Sequence, residues 1–199
     1  MTSRRHKLRG MAPEIATPEP FARAVAQMNS VQARPEIMLE DAPSPSKLAP
    51  YAHAIGGTVS RAGEEVATGR LILLHEPAGH DAWAGTLRLV TYVTAELESE
   101  LATDPLLAQV AWSWLVDALT GHGAAYHAIG GTVTINVSAR FGELSGPPTV
   151  ADLEIRASWT PDSSLDTHAI AWCALLASTA GLPPPGVAAM PGAPGRRAR

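Results

Sequence analysis

Two stretches of this chain alternate apolar and polar residues without a break. Along Thr132–Phe141, Val133, Ile135, Val137, Ala139 and Phe141 fall on one side, and Thr132, Thr134, Asn136, Ser138 and Arg140 on the other. Along Asp152–Thr160, Leu153, Ile155, Ala157 and Trp159 alternate with Glu154, Arg156, Ser158 and Thr160. Successive side chains of a strand point to opposite faces, so a period of two requires a sheet packed on one face and wet on the other. Whatever else the chain forms must cover one face of that sheet.

Three further strands are expected. They lie around Ala54–Ser60, along Gly69–His75, where Leu71–Leu74 are apolar on both faces, and along Thr86–Glu96. Helical spacing of Phe21, Ala24, Val25 and Met28 after Thr17-Pro18 predicts a first helix over about 18–30. A second runs from Asp104-Pro105 to about Leu119, where Gly121 and Gly123 stop it. Ser163-Ser164-Leu165-Asp166 resembles a capping box and opens a third, which reaches about Ala180. Between the first helix and the first strand, RPEIMLEDAPSPSKLAPY reads as an extended surface linker because of its four prolines. The order α-β-β-β-α-β-β-α, with short links inside each β block, predicts the α+β class. It should have a single antiparallel sheet of about five strands with helices packed on one face.

At 199 residues and 46% hydrophobic content the chain can bury one ordinary core. A single domain is expected over 18–182, between a basic tail at 1–17 and a Pro/Gly/Ala tail at 183–199. Both tails lack periodicity and read as disordered. Net charge is +3 on residues 1–18 and +3 on 183–199, so the total of −4 leaves −10 on residues 19–182. A body that acidic is a poor surface for phosphate, so nucleic acid is not the expected partner, although the Arg tails leave an RNA-associated role as an alternative. Cys173 is the only cysteine, which excludes an internal disulfide and fits a reducing cytoplasm. No apolar run approaches a membrane span, and PEIATPEP stands where a signal peptide would need its apolar segment. A soluble cytoplasmic protein is expected.

The heptapeptide HAIGGTV occurs twice, at His53–Val59 and His127–Val133. Its glycines lead into a strand rather than a helix N-terminus, so they present no ring of free N–H groups to a phosphate. Paired glycines there mark a bulge or a close backbone approach, and the repeat reads as framework.

The middle helix is apolar almost all round. Leu106, Leu107, Val110, Ala111, Trp114, Leu115 and Ala118 form one face, Trp112, Val116 and Leu119 a second, and only Gln109, Ser113 and Asp117 stay polar. A surface helix needs an apolar arc of about 100°, so this one must be covered on several sides. A homodimer interface through Trp112, Val116 and Leu119 would do it, as would the Pro-rich linker or first helix of the same chain.

Chemistry-bearing side chains are dense in one stretch, His75-Glu76-Pro77-Ala78-Gly79-His80-Asp81. His75, Glu76, His80 and Asp81 are the candidates for a metal site or acid/base work, although their spacing matches no zinc motif. His122 and His127 flank a Gly-Ala turn. Cys173 sits among Ile170, Trp172 and Leu176, where a small buried thiol is the ordinary outcome. No GxSxG or comparable nucleophile signature is present, so no catalytic residue, resident metal or cofactor is assigned.

RPEIMLEDAPSPSKLAPYA, EVATGRLILLHEP, AWAGTLRLVTYV, DPLLAQVAWSWLVDAL and LEIRASWTP together resemble an actinobacterial family of unknown function, domain of unknown function three thousand, over about residues 19–183. That resemblance implies no activity and carries over no site residue. The element order also resembles the type III secretion chaperone-like fold, whose members are small acidic homodimers that bind extended segments of partner chains. It implies a non-enzymatic protein-binding or adaptor domain, a homodimer through the 105–120 helix. An exposed strand edge or the polar sheet face would hold a protein or peptide partner. A small metal-dependent or acid/base enzyme built on His75–Asp81 is the competing expectation.

Overall fold

Six strands form one antiparallel sheet in the computed structural model, which describes residues 17–98, 100–143 and 149–184. They are β1 (Ile37–Asp41), β2 (Tyr51–Arg61), β3 (Glu64–His80), β4 (Gly85–Leu97), β5 (Tyr126–Ala139) and β6 (Thr149–Pro161). Their order across the sheet is β1-β2-β3-β4-β6-β5. Three helices, α1 (Glu19–Asn29), α2 (Leu107–Gly121) and α3 (Leu165–Thr179), lie on one face. The expected α+β class with one-sided helices is what forms.

Register puts the apolar half of the β6 alternation under the helices, with Val133 and Ile135 of β5 beside it. β5 stops at Ala139, and Val137 and Phe141 stay exposed. Ile55, Leu71, Thr91 and Ala157 line up across four strands, as do Val59, Ala67, Ala95 and Leu153. Leu71, Leu73, Leu89, Leu153, Ile155 and Trp159 are fully buried on that face. Each such aliphatic side chain contributes roughly 1.5–3 kcal/mol against leaving it in water. The opposite face carries Thr68, Arg70, Tyr92, Thr94, Glu154, Arg156 and Thr132 and meets solvent.

Four sequence expectations need correction. Residues 37–41 form a strand inside the stretch read as a linker, because Ile37 and Leu39 point to the helices while Pro35 and Pro43 bracket the strand instead of interrupting it. β3 does not end at His75 but continues to His80, so the candidate loop is largely strand. No capping box forms at α3. Ser164 stands at the N-cap without a side-chain cap, and Thr167 Oγ1 donates to the Ser164 carbonyl at 2.7 Å. Finally, the helix surrounded on several sides is α3 rather than α2. It packs against α1, α2 and the strands from β1 to β4 and β6, and Trp172, Leu175 and Leu176 have no exposure. α2 covers the β5 end of the sheet, and α1 with β1 lies at the other end, so neither the linker nor the first helix covers α2.

The flanks expected to be disordered lie outside the described residues apart from Thr17, Pro183 and Pro184. Among the described residues, no helix is long and apolar enough to cross a membrane.

Candidate functional site

The stretch His75–Asp81 separates once it is folded. His75 faces the helices, 3% exposed, stacked on Phe21 at 5.9 Å with Tyr51 tilted against it. Its Nδ1–H donates to the Thr86 carbonyl at 3.0 Å. Glu76 points to the other side of β3 and accepts from the Ala78 N–H at 3.3 Å. His80 Nδ1 accepts from the Ala82 N–H at 3.2 Å, and its ring stacks on Trp83 at 4.7 Å. Asp81 is exposed at the turn. Strand alternation and the hairpin have sent the four side chains to different places. Among the described residues no three His, Cys, Asp or Glu side chains come together as a metal site.

Elsewhere in the core the Trp172 Nε1–H is buried without a partner among the described residues, whereas Trp159 and His168 satisfy each other. His168 is fully buried at the start of α3. The Trp159 Nε1–H donates to His168 Nδ1 at 3.0 Å, which makes Nε2 the protonated nitrogen and the donor to Ser163 Oγ at 3.2 Å. Ser163 Oγ also accepts from the Ala125 N–H at 3.1 Å. A serine beside a histidine invites a nucleophilic reading, yet a base must offer Nε2 as an acceptor, and this tautomer cannot. Burial pushes the His168 imidazole down to about 4 and the Cys173 thiol up to about 12. The imidazole stays neutral and the thiol stays protonated and inert.

Both copies of HAIGGTV are framework. They lie on β2 and β5, and the second glycine of each faces a tryptophan. A Cβ on Gly57 would stand 2.9 Å from Trp172 Cη2, and one on Gly131 2.9 Å from Trp112 Cζ3. The second copy also carries a bulge. Register shifts between His127 and Gly130, and Ala128 takes φ 49°. Arg88 holds that bulge in place. It is 9% exposed and donates to the Ala128 carbonyl, Thr160 Oγ1 and Ser158 Oγ at 2.9, 3.0 and 2.7 Å. His127 is tied beside it to Asp162 at 2.7 Å, and that hydrogen bond raises its pKa.

A cleft of about 340 Å³ between residues 31–37 and α3 is lined by Val31, Ile37, Ile170, Ala174 and Leu182. Arg34 at its rim is already held by both Glu36 oxygens and the Pro183 carbonyl. The lining is mostly apolar but also includes Gln32, His122, Cys173 and Ser178, and burial keeps the Cys173 thiol protonated.

The two edges of the sheet differ most. β1 is five residues long, carries Glu40 and Asp41, and is flanked by Pro35 and Pro43, all devices that discourage another strand from adding. β5 is fourteen residues, YHAIGGTVTINVSA, with no Asp, Glu, Lys, Arg or Pro. Beyond the bulge, Gly130–Ala139 pairs in regular register with β6 on one side only among the described residues. Gly131, Val133, Ile135 and Val137 lie on its helix side, opposite Ala157, Ile155, Leu153 and Ala151. Val133 and Ile135 are half-buried, and Val137 is 56% exposed.

α2 extends this surface. Leu107, Ala111, Leu115 and Leu119 form its buried stripe. Trp114 lies on the flank toward α3, and Trp112 lies on the opposite flank over Gly131, in one stripe with Ala108 and Val116. Trp112 and Val116 are half-buried. Of the three residues expected at an interface, Leu119 is instead fully buried in the chain's own core. Sequence reasoning missed β5 as the open element, though its lack of charge over fourteen residues was a readable signal.

Residues 17–188 match the model of a family described as a protein of unknown function, DUF3000. No curated protein matches, and no solved structure does.

Proposed function

The chain belongs to the DUF3000 family of proteins of unknown function, and we propose that it is a non-enzymatic protein-binding domain whose binding element is the free edge of β5. The observation that carries this reading is the contrast between the two edges. A long, uncharged edge strand without proline is a template for another strand, and proteins blunt such edges unless something is meant to pair there. β1 is blunted and β5 is not. Main-chain hydrogen bonds would supply affinity, while Val133, Ile135 and Val137 would accept alternate side chains of the incoming strand. His75 and His168, each buried and hydrogen-bonded within the core, and the protonated Cys173 support binding over catalysis.

Capture from cell lysate by the tagged full chain, with and without nuclease, tests the reading. A stoichiometric protein, or an untagged copy of the chain, should be held by the wild type and by Arg70→Ala on the open face. It should be lost on combining Val133→Lys with Val137→Lys. A catch that vanishes with nuclease, or survives the β5 changes, overturns it.

A further inference from the structure

We propose that the occupant of β5 is a second copy of this chain, added antiparallel across a two-fold axis perpendicular to the sheet, with the two α2 helices meeting above the junction. The inference rests on the edge-binding reading and names its partner.

Residues 19–182 carry −10, so two copies repel each other over most of their surfaces. A two-fold interface sets a patch against itself, so any charge on the pairing strand would meet its own kind close to the axis. β5 carries no formal charge except on a protonated His127, which lies before the bulge and is held by Asp162. Every other strand of the sheet, by contrast, carries charge: Glu40 and Asp41 on β1, Arg61 at the end of β2, Arg70 on β3, Arg88 on β4, and Asp152, Glu154 and Arg156 on β6. The one strand that would face itself is the one kept neutral.

The apolar surface also runs on from β5 to α2. The apolar row Val133, Ile135 and Val137 runs on the helix side of the edge, and Ala108, Trp112 and Val116 form the α2 flank above it. A lone foreign strand would pair with the backbone of β5 but leave that flank half open. A second copy brings its own α2 to the same side of the joined sheet and covers Trp112 and Val116 with their counterparts. The joined sheet would have twelve strands and a blunted β1 at each end.

Light scattering on the full chain is expected to give twice the 20.8 kDa mass. Combining Val116→Lys with Val137→Lys should raise the dissociation constant at least 100-fold while the circular dichroism spectrum stays unchanged, since neither side chain belongs to the buried core. Single cysteines placed in turn from Thr132 to Ser138 should oxidise to a linked dimer most readily at the residue on the axis, with yield falling on both sides. Buried Cys173 would not compete. A dimer that ignores the lysines and shows no such maximum overturns the proposal, as does one that dissociates with Val110→Lys, which lies away from the β5 flank. A monomer that still captures a foreign protein through β5 overturns the second copy but leaves the edge-binding reading standing. A monomer that captures nothing through β5 overturns both.

Discussion

Trp112 lies so close over Gly131 that the backbone of β5 has no room for a side chain there: a Cβ would stand 2.9 Å from the ring and 2.2 Å from the Arg156 carbonyl oxygen. Gly57, the same position in the other HAIGGTV copy, meets Trp172 at 2.9 Å and Leu176 Cδ1 at 2.7 Å, both side-chain atoms. The repeat is therefore conserved within the chain by packing. In each copy a strand lets an indole from a covering helix approach the sheet.

That difference in what the added carbon would strike predicts unequal costs. In Gly57→Ala the end of Leu176 can rotate away, and the loss should be that of ordinary overpacking, about 1–3 kcal/mol. In Gly131→Ala the obstacle is backbone of the neighbouring strand, so β5 itself must shift, and the loss should exceed that of Gly57→Ala. Urea denaturation of the two variants checks the order. Equal costs would mean that β5 moves as easily as a side chain.

His75 and His80 should behave as unrelated residues. His75→Ala empties a buried position between Phe21 and Tyr51 and is expected to cost about 2–4 kcal/mol, in the range for large-to-small core changes. His80→Ala and Asp81→Ala lie on an exposed turn and should each stay within about 0.5–1 kcal/mol of the wild type. Added zinc should leave the melting temperature unchanged, whereas a bound metal would raise it with concentration. Parallel losses in both histidine variants together with zinc stabilisation would restore a metal site.

The alternations of β5 and β6 were legible because one face of the sheet is buried, and burial on one face is what writes a period of two into a strand. β1 was not legible. Five residues, Ile-Met-Leu-Glu-Asp, include one β-branched side chain, and the prolines around them dominate the local signal. The end of β3 was hidden for a similar reason, since Glu-Pro-Ala-Gly-His has no strand formers and is held by its position in the hairpin. The site was harder still. β6 inserts between β4 and β5, so the last strand in sequence is central and the one before it is the edge. Both alternate equally well, and only the absence of charge on β5 hints at which one lies outside. α2 and α3 are similarly apolar, and topology alone decides that α3 is surrounded while α2 keeps an open flank.

Arg88 joins the core of the sheet to that edge. Its partners across β6 and β5 are neutral oxygens, so the charge is held by hydrogen bonds alone, and burial lowers its pKa. Lysine offers a single ammonium in place of the planar fork and cannot reach Ala128 and Ser158 together. Arg88→Lys should therefore cost about 1–3 kcal/mol, the penalty for leaving buried polar groups unpaired. Hydrogen exchange should quicken selectively at residues 126–131, where the bulge loses its anchor. A uniform change across the sheet would mean that Arg88 serves stability in general and not the placement of β5.

His168 gives the fold an acid limit. Buried against Trp159 and Ser163, it holds off protonation until about 4, whereas the unfolded chain takes up that proton near the ordinary histidine value of about 6.5. Between those values the unfolded state binds more protons, so stability falls as pH falls through the window and is fully present above it. The arithmetic gives a loss of about 2 kcal/mol between pH 7 and pH 5 from this residue alone. His127 acts in the opposite sense, because Asp162 raises its pKa and its contribution is lost as pH rises, but it is exposed and its share is small. Ring proton resonances followed by NMR separate the two. His127 should titrate above the unfolded value, and His168 should remain neutral at pH 5 in the folded protein while urea midpoints decline. A His168 that titrates near 6.5 in the native state would remove the acid limit and place water beside Trp159.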